Sequence, residues 1–220
     1  MVTLPLILGL LPSFAWLIFY LEEDPHPEPK KLLFEVFLAG ALSTFIVLQV
    51  QILFNDWANF NGIIKYSFIS FIVLAGIEEF FKFGAARLVI GKHPKDFDEP
   101  VDAMIYMIVA ALGFAAVENV AAAVKTGSLA FETTTLRFIG ATLLHTLSSG
   151  LLGYYWAKAM SLNKKWLLLT GFALATALHA FFNSLIIRYE PSVIPTIFLT
   201  ILAIFILYDF EKLKKRTSLE

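Results

Sequence analysis

Ionisable and amide side chains interrupt four consecutive apolar segments of this 220-residue chain. They are Glu78, Glu79, Lys82, Glu118, Asn119, His145, His179 and Asn183. Glutamate and histidine can activate a water molecule as bases, return a proton to a leaving group, or bind a divalent metal ion. Asparagine can donate a hydrogen bond to a developing oxyanion. These residue types are therefore the ones that a hydrolytic site needs.

Spacing along each segment indicates which side chains share a helix face. His179 and Asn183 are four residues apart, as are Glu78 and Lys82, so each pair lies on one face of its helix. Glu78 and Glu79 point about 100° apart, because an α-helix has 3.6 residues per turn. We therefore expect Lys82 to neutralise Glu78, which leaves Glu79 free to face a partner helix.

Two hydrolytic mechanisms fit the same residues. In the first, His145, His179 and Glu79 bind a Zn²⁺ ion and leave one coordination position open for water. In the second, no metal takes part: Glu78 or Glu79 acts as base and then as acid, His179 orients the water and Asn183 donates to the oxyanion. The sequence has no HExxH motif and is compatible with both mechanisms.

The segments that carry these residues are apolar enough to lie in a membrane. Hydrophobic residues make up 58% of the chain and charged residues 16%, against about a quarter charged in soluble domains. Long, nearly uncharged runs lie at 2–21, 32–54, 63–90, 101–124, 136–157, 166–187 and 193–208. A run of about 18 residues is long enough to cross the hydrocarbon core as a helix. We predict an all-α, polytopic membrane helical bundle with about seven transmembrane helices.

The parts of the chain between these runs are short and polar, such as EEDPHPEPKK, FNDWANFNG, GKHPKDFDEP and YEPS. None is long enough for a soluble domain, so we expect residues 1–220 to form a single membrane-embedded domain with a motif-bearing core at about 63–190. The first run lacks a basic n-region and a small-residue cleavage site, and is predicted to be a spanning helix. A net charge of −1 gives no sign of a nucleic-acid partner, and the absence of cysteine excludes a thiolate nucleophile.

Basic residues near the ends of the runs predict the orientation. Twelve lysine and arginine residues follow odd-numbered runs, including Arg216 near the chain end, and four follow even-numbered runs. Basic residues are retained on the cytoplasmic side, so the N-terminus is predicted outside and the C-terminus in the cytoplasm. Glu118, His145 and His179 then lie six, seven and eight residues from the outer helix ends, which is about 9 to 12 Å deep. We therefore expect one layer of ionisable groups in the outer leaflet half.

At these residues the sequence resembles the PrsW family of intramembrane proteases, relatives of the CAAX prenyl endopeptidase (CPBP) membrane proteases. EEFFK is similar to the family's EExxK motif at Glu78, Glu79 and Lys82, and HAFFN is similar to its HxxxN element at His179 and Asn183. FDEPVDAMIY followed by GFAAVEN resembles the second block, and His145 the third element. Four motifs in order on successive helices cover about half of the chain.

The resemblance implies a membrane-embedded protease in the cell membrane, either a metalloprotease or a glutamic-type peptidase. Its partners would be the lipid bilayer and a membrane-anchored protein substrate, cut near the outer leaflet in a site-1-type cleavage that releases a regulator such as an anti-sigma factor. In the related enzymes the first glutamate of the pair activates water, which would give that role to Glu78. Two other functions fit the buried charges: a proton- or cation-coupled transporter, and a non-catalytic scaffold for single-span proteins.

Overall fold

A computed structural model describes residues 3–22, 24, 26–189 and 193–215. Within these ranges the chain is all-helical, with eight α-helices, two short 3₁₀ turns and no strand. The helices are α1 (Thr3–Glu22), α2 (Lys30–Phe60), α3 (Phe68–Ile90), α4 (Asp102–Thr126), α5 (Ala130–Ile139), α6 (Ala141–Ser161), α7 (Trp166–Tyr189) and α8 (Val193–Lys214). Val2, Arg216 and most of the YEPS connector lie outside the described residues.

Helix α4 is the central element of the bundle. Its residues from Asp102 to Ala116 are all buried, and it packs against α1, α2 and α6. A helix that is apolar on every side must be covered by other helices. Helices α1, α2, α3 and α6 therefore cover α4, whereas α7 and α8 pack against α6.

Glycine residues allow α2 and α4 to pack backbone against backbone. A Cβ atom on Gly40 would collide with the carbonyl group of Ala110, and one on Gly113 would collide with that of Phe37. Small residues at helix contacts are the usual means of close packing in membrane bundles, where no hydrophobic force drives helices together. This contact fixes the position of α4, which carries Glu118.

Neighbouring helices of the site run antiparallel. Asn119 in α4 donates a hydrogen bond to Thr142 at the start of α6 (2.9 Å), whereas Gly153 near the end of α6 lies against Ala103 at the start of α4. In the same way, Glu79 of α3 contacts His179 of α7. Four residues later on α3, the ring of Phe83 contacts a phenylalanine ring that lies earlier on α7. The antiparallel packing brings residues distant in sequence to the same level of the bundle.

Five helical stretches of the described residues are long and apolar enough to cross a membrane. They are Thr3–Glu22, Lys30–Phe60, Asp102–Ser161, Trp166–Tyr189 and Val193–Lys214. Large apolar side chains cover the outside of the bundle, among them Phe45, Leu53 and Phe205. Such a surface suits lipid and would be unusual in contact with water.

Two element boundaries differ from the sequence prediction. Helix α2 continues to Phe60, so most of the predicted FNDWANFNG connector is helical. The predicted helix 136–157 is two helices, because α5 ends at Ile139 and α6 begins at Ala141. The break has a local cause: a Cβ atom on Gly140 would lie 2.8 Å from the carbonyl oxygen of Leu136, and only glycine permits this bend without displacement.

Candidate active site

Four helices bring two histidines and three glutamates together inside the bundle. Helix α3 supplies Glu78 and Glu79, α4 supplies Glu118, α6 supplies His145 and α7 supplies His179. All except Glu118 are buried, and Glu118 is partly exposed. The structure therefore assembles every glutamate and histidine that the sequence predicted for the site.

His179 lies between the two adjacent glutamates of α3. Its Nδ1 atom is 2.8 Å from Oε1 of Glu79, and its Nε2 atom is 3.5 Å from Oε2 of Glu78. A carboxylate accepts, so the Nδ1–H group donates to Glu79; in the tautomer with a single N–H group, the lone pair is then on Nε2. His179 therefore presents an unprotonated nitrogen to Glu78.

His145 has a similar arrangement with a different carboxylate. Its Nε2 atom is 2.9 Å from Oε2 of Glu118, which also accepts from Arg137 at 3.1 Å. Its Nδ1 atom is 3.9 Å from Oε2 of Glu78 and 3.1 Å from the ammonium nitrogen of Lys82. Glu118 thus fixes the ring so that Nδ1 is the acceptor, and this nitrogen faces both Lys82 and Glu78.

One oxygen of Glu78 is the unsatisfied atom of the site. Oε1 accepts a hydrogen bond from the Gln51 side chain at 2.9 Å, whereas Oε2 is buried without a hydrogen-bond partner. Ligand atoms of Glu78, His145 and His179 lie within 4.8 Å of one another. A buried carboxylate oxygen without a partner is costly unless something binds it. Two neutral imidazole nitrogens and a carboxylate are the donor set of many catalytic metal sites, so these residues fit a divalent metal ion.

The structure corrects the expected pairing of Lys82. Its ammonium group lies 2.6 Å from Oε1 of Glu79, three residues earlier, and both side chains are completely buried. The lysine stem reaches partners three or four residues away on a helix, and here the nearer one is chosen because Ser148 and Ser149 hold Glu79 in place. We expected Glu79 to be free and to be a third metal ligand, but its oxygens are bonded to Lys82, the two serines and His179, and the free oxygen near the histidines belongs to Glu78.

Four residues of the site were not predicted from the sequence: Gln51, Arg137, Ser148 and Ser149. The two serines donate to Glu79 at 2.9 and 2.8 Å. A signal for them existed, because they follow His145 by three and four residues and so share its helix face. Gln51 and Arg137 gave no such signal. Gln51 lies on a helix without other site residues, and Arg137 lies on α5, which was not predicted as a separate helix.

Asparagines occupy the border of the site. Asn119 donates to Thr142 and accepts from Arg137 at 2.5 Å, so its amide is used inside the structure. Asn183 is half-buried and lies in the walls of two cavities, of about 770 and 370 Å³. The smaller cavity also contains Glu78 in its wall. Asn183 is therefore placed where a bound molecule could reach it.

The chain has clear relatives among known proteins. A family model described as PrsW family intramembrane metalloprotease matches residues 28–208. The chain is 29% identical to Protease PrsW of Oceanobacillus iheyensis over 212 residues, or 95% of each chain. It is 30% identical to Protease PrsW of Geobacillus kaustophilus, over 83% of this chain and 79% of the relative. The same protein of Bacillus subtilis is 29% identical over 74% and 73% of the two chains.

No solved structure matches the chain. The family match covers most of the chain, including α3, α4, α6 and α7, which carry the histidines and glutamates of the site. A bundle with several candidate membrane helices and a buried hydrolytic donor set agrees with that match. The chain belongs to the PrsW family of intramembrane metalloproteases.

Proposed function

We propose that this chain is an intramembrane endopeptidase whose reacting water is held between Glu78, His145 and His179. The observation that carries the proposal is the unpartnered Oε2 of Glu78, which lies 3.9 Å from Nδ1 of His145 and 3.5 Å from Nε2 of His179. Hydrolysis of a peptide inside a bilayer needs a polar site that is enclosed by protein and binds a water molecule, because no bulk water is available there.

The bound metal in this proposal is Zn²⁺, held by Glu78, His145 and His179. Zinc bound there would make a water molecule nucleophilic near neutral pH and polarise the substrate carbonyl group. The chain's own residues prepare the ligands: Glu79 and Glu118 each hold an N–H proton on the far nitrogen of one histidine. Such carboxylate partners fix the tautomer and the ring orientation of metal-binding histidines. Binding at Nδ1 of His145 requires the Lys82 ammonium to give up its 3.1 Å contact with this nitrogen while it keeps its 2.6 Å contact with Glu79.

In this proposal, Glu79, Lys82 and Asn183 do not bind the metal ion but position its ligands or the substrate. Lys82 neutralises Glu79, which has four polar partners, so we assign Glu79 to positioning His179. Asn183 and Glu78 both line the smaller cavity, and the amide of Asn183 is suited to donate to the oxyanion of the tetrahedral intermediate.

We further propose seven transmembrane helices in one membrane-embedded domain, with the N-terminus outside and the C-terminus in the cytoplasm. Seven of the described helices have 20 or more residues, and only α5 is too short to span. Support for the orientation comes from the twelve basic residues on one side against four on the other. The charges in the middle of α3 are not an obstacle, because Glu78, Glu79 and Lys82 face the interior.

The proposed substrates are membrane-anchored proteins, cut in the outer half of the bilayer to release a regulator such as an anti-sigma factor. The site lies closer to the end of the bundle where α4 ends and α6 begins, which the proposed orientation places outside. The family match and the Glu–His–His donor set favour the protease over a transporter or a scaffold.

The test compares protein N-termini in membranes of cells that express the wild type, Glu78→Gln, Glu79→Gln or His179→Ala. We expect new N-termini in single-span proteins with the wild type and none with the three variants. Glu132→Gln, at an exposed position of α5, is the matched control and should cleave like the wild type. Equal amounts of folded protein must be present in all samples. Undiminished cleavage by all three site variants would contradict the proposal.

A further inference from the structure

Two cavities meet at the C-terminal half of α7, and both have Asn183 and Ile186 in their walls. The larger, of about 770 Å³, lies between α5, the start of α6, α7 and α8. The smaller, of about 370 Å³, lies between α2, α3 and α7 and includes Glu78. Asn183 therefore lies at the border between the larger cavity and the cavity that contains Glu78.

The walls of the two cavities differ in chemistry. The larger is mainly aliphatic and aromatic, with Ile139, Phe182, Leu199 and Ile201 among its lining residues. The smaller presents polar groups from Gln51, Asn55, Lys65 and Ser70 together with Glu78. A peptide that lies across Asn183 would thus have an apolar environment on one side of its reacting bond and a polar one on the other.

The break at Gly140 places the start of α6 in the wall of the larger cavity. Gly140 and Ala141 line this cavity; the N–H group of Gly140 donates to the carbonyl oxygen of Leu136, and no side chain caps the N-terminus of α6. The first N–H groups of a helix have no partner within the helix. They can bond carbonyl groups of an extended peptide, which would otherwise remain unsatisfied in an apolar environment.

We propose that the larger cavity is the specificity pocket of the enzyme and binds large apolar side chains of the substrate on one side of the cleaved bond. The inference rests on the proposed protease function and adds to it the substrate feature that is recognised. The occupant is a peptide segment because the pocket shares Asn183 and Ile186 with the cavity that contains Glu78 and has the uncapped start of α6 in its wall, and a lipid chain would use neither feature.

The first experiment measures cleavage of a defined library of peptides, prepared by digesting a bacterial proteome, with the purified zinc-loaded full chain in detergent. Thr200→Trp narrows the pocket from α8, whereas Ile197→Ala widens it; both residues line the cavity and are exposed. Ile204→Trp is the matched control, one helical turn beyond Thr200 on an exposed, non-lining position.

We expect the wild type to prefer large apolar residues at one position beside the cleaved bond. For those peptides Thr200→Trp should lower kcat/KM roughly tenfold or more, with a much smaller loss for Ala or Gly at that position. Ile197→Ala should shift the preference towards larger side chains, and Ile204→Trp should leave it unchanged.

An unchanged preference in both pocket variants would overturn the pocket assignment while the protease function stands. If lipid fills the cavity, the pocket variants should either keep the wild-type preference or lose kcat/KM equally for all peptides. Both outcomes would contradict the pocket assignment. If the wild type cleaved no peptide and no membrane protein, the proposed function itself would fail, together with the pocket. Zinc content and thermal stability are measured for each variant, so that a loss of folding is recognised.

Discussion

At the residue scale, two adjacent glutamates of one helix have opposite surroundings. Glu79 is completely buried and is held by Lys82, Ser148, Ser149 and His179. Glu78 has one bonded oxygen and one free oxygen that faces the histidines. One glutamate is therefore part of the support and the other is available to a metal ion or a water molecule.

The ion pair between Lys82 and Glu79 leads to a prediction about stability. Removing one member of a fully buried pair leaves an uncompensated charge, which typically costs about 3–5 kcal/mol. Lys82→Met should therefore lower the free energy of unfolding, measured by denaturant titration in mixed micelles, by that amount. The double variant Lys82→Met with Glu79→Gln should recover part of the loss, because it removes the remaining charge as well.

Lys31→Met is the matched control for this measurement. Lys31 pairs with Glu35 at 3.8 Å, but its side chain is 86% exposed. Exposed pairs contribute about 0–1 kcal/mol, so this variant should unfold almost like the wild type. Equal losses for Lys82→Met and for the double variant would show that lost packing, rather than the unpaired charge, causes the effect.

The sequence predicted the glutamates and histidines of the site, but not which of the two adjacent glutamates pairs with Lys82 and which has an oxygen free. A lysine can reach a carboxylate three or four residues away, so Lys82 alone is compatible with either glutamate. Ser148 and Ser149 hold Glu79 in the position where Lys82 reaches it, and they lie 69 and 70 residues further along the chain. Such a choice depends on tertiary contacts that helical spacing does not contain.

At the element scale, the connector before α2 is tied to the core helix α4. Glu28 is almost fully buried, and its carboxyl group contacts the hydroxyl group of Tyr106. The same hydroxyl donates to the carbonyl oxygen of Asp96 at 2.8 Å. A hydroxyl has one proton, so both contacts are satisfied at once if Glu28 is protonated and donates to Tyr106. The contact thus joins two connectors at the end of the bundle away from the active site.

This arrangement predicts a pH dependence of stability. Burial, and then the nearby Asp102 charge, raise the pKa of Glu28 to about 8 in the folded protein. The folded state therefore holds this proton at pH values where the unfolded chain has lost it, and stability falls as the pH rises from about 4.5 to about 8. Glu28→Gln removes this titration, so the variant should gain stability relative to the wild type across that range and no further above it.

The measurement is the difference in unfolding free energy between Glu28→Gln and the wild type at pH values from 5 to 9. Glu132→Gln, which removes an exposed carboxylate, should show no comparable pH dependence in the same difference. A constant difference for Glu28→Gln at all pH values would mean that Glu28 is ionised in the folded protein.

Helix positions were largely predictable, and the exceptions have identifiable causes. Long apolar runs predict membrane helices well because few other structures satisfy backbone groups in lipid. The length of α2 was missed because its last turns contain Asn55, Asp56 and Asn59, which are also common in connectors. The division into α5 and α6 depends on a single glycine, Gly140, within an otherwise helical pattern. A glycine inside an apolar run indicates a break only when the packing around it is known.

At the scale of the whole molecule, the antiparallel helices place the site off centre. Within α4, Glu118 is closer to the C-terminal end, and within α6, His145 is close to the start. The connector between α2 and α3 lies at that same end if successive long helices alternate in direction. The leaflet in which cleavage occurs therefore depends on which end of the bundle faces outward.

The absence of cysteine from the chain permits a direct test of this orientation. Asn61 lies between α2 and α3 and Lys165 between α6 and α7, and both residues are exposed. With the N-terminus outside, Asn61→Cys should react with a membrane-impermeant maleimide in intact cells. Lys165→Cys should react only after the membrane is permeabilised, since it lies in a basic, cytoplasmic connector. The reverse labelling would move the site to the cytoplasmic half of the bilayer, and the N-termini produced by cleavage would then have to lie on the cytoplasmic side of the substrates.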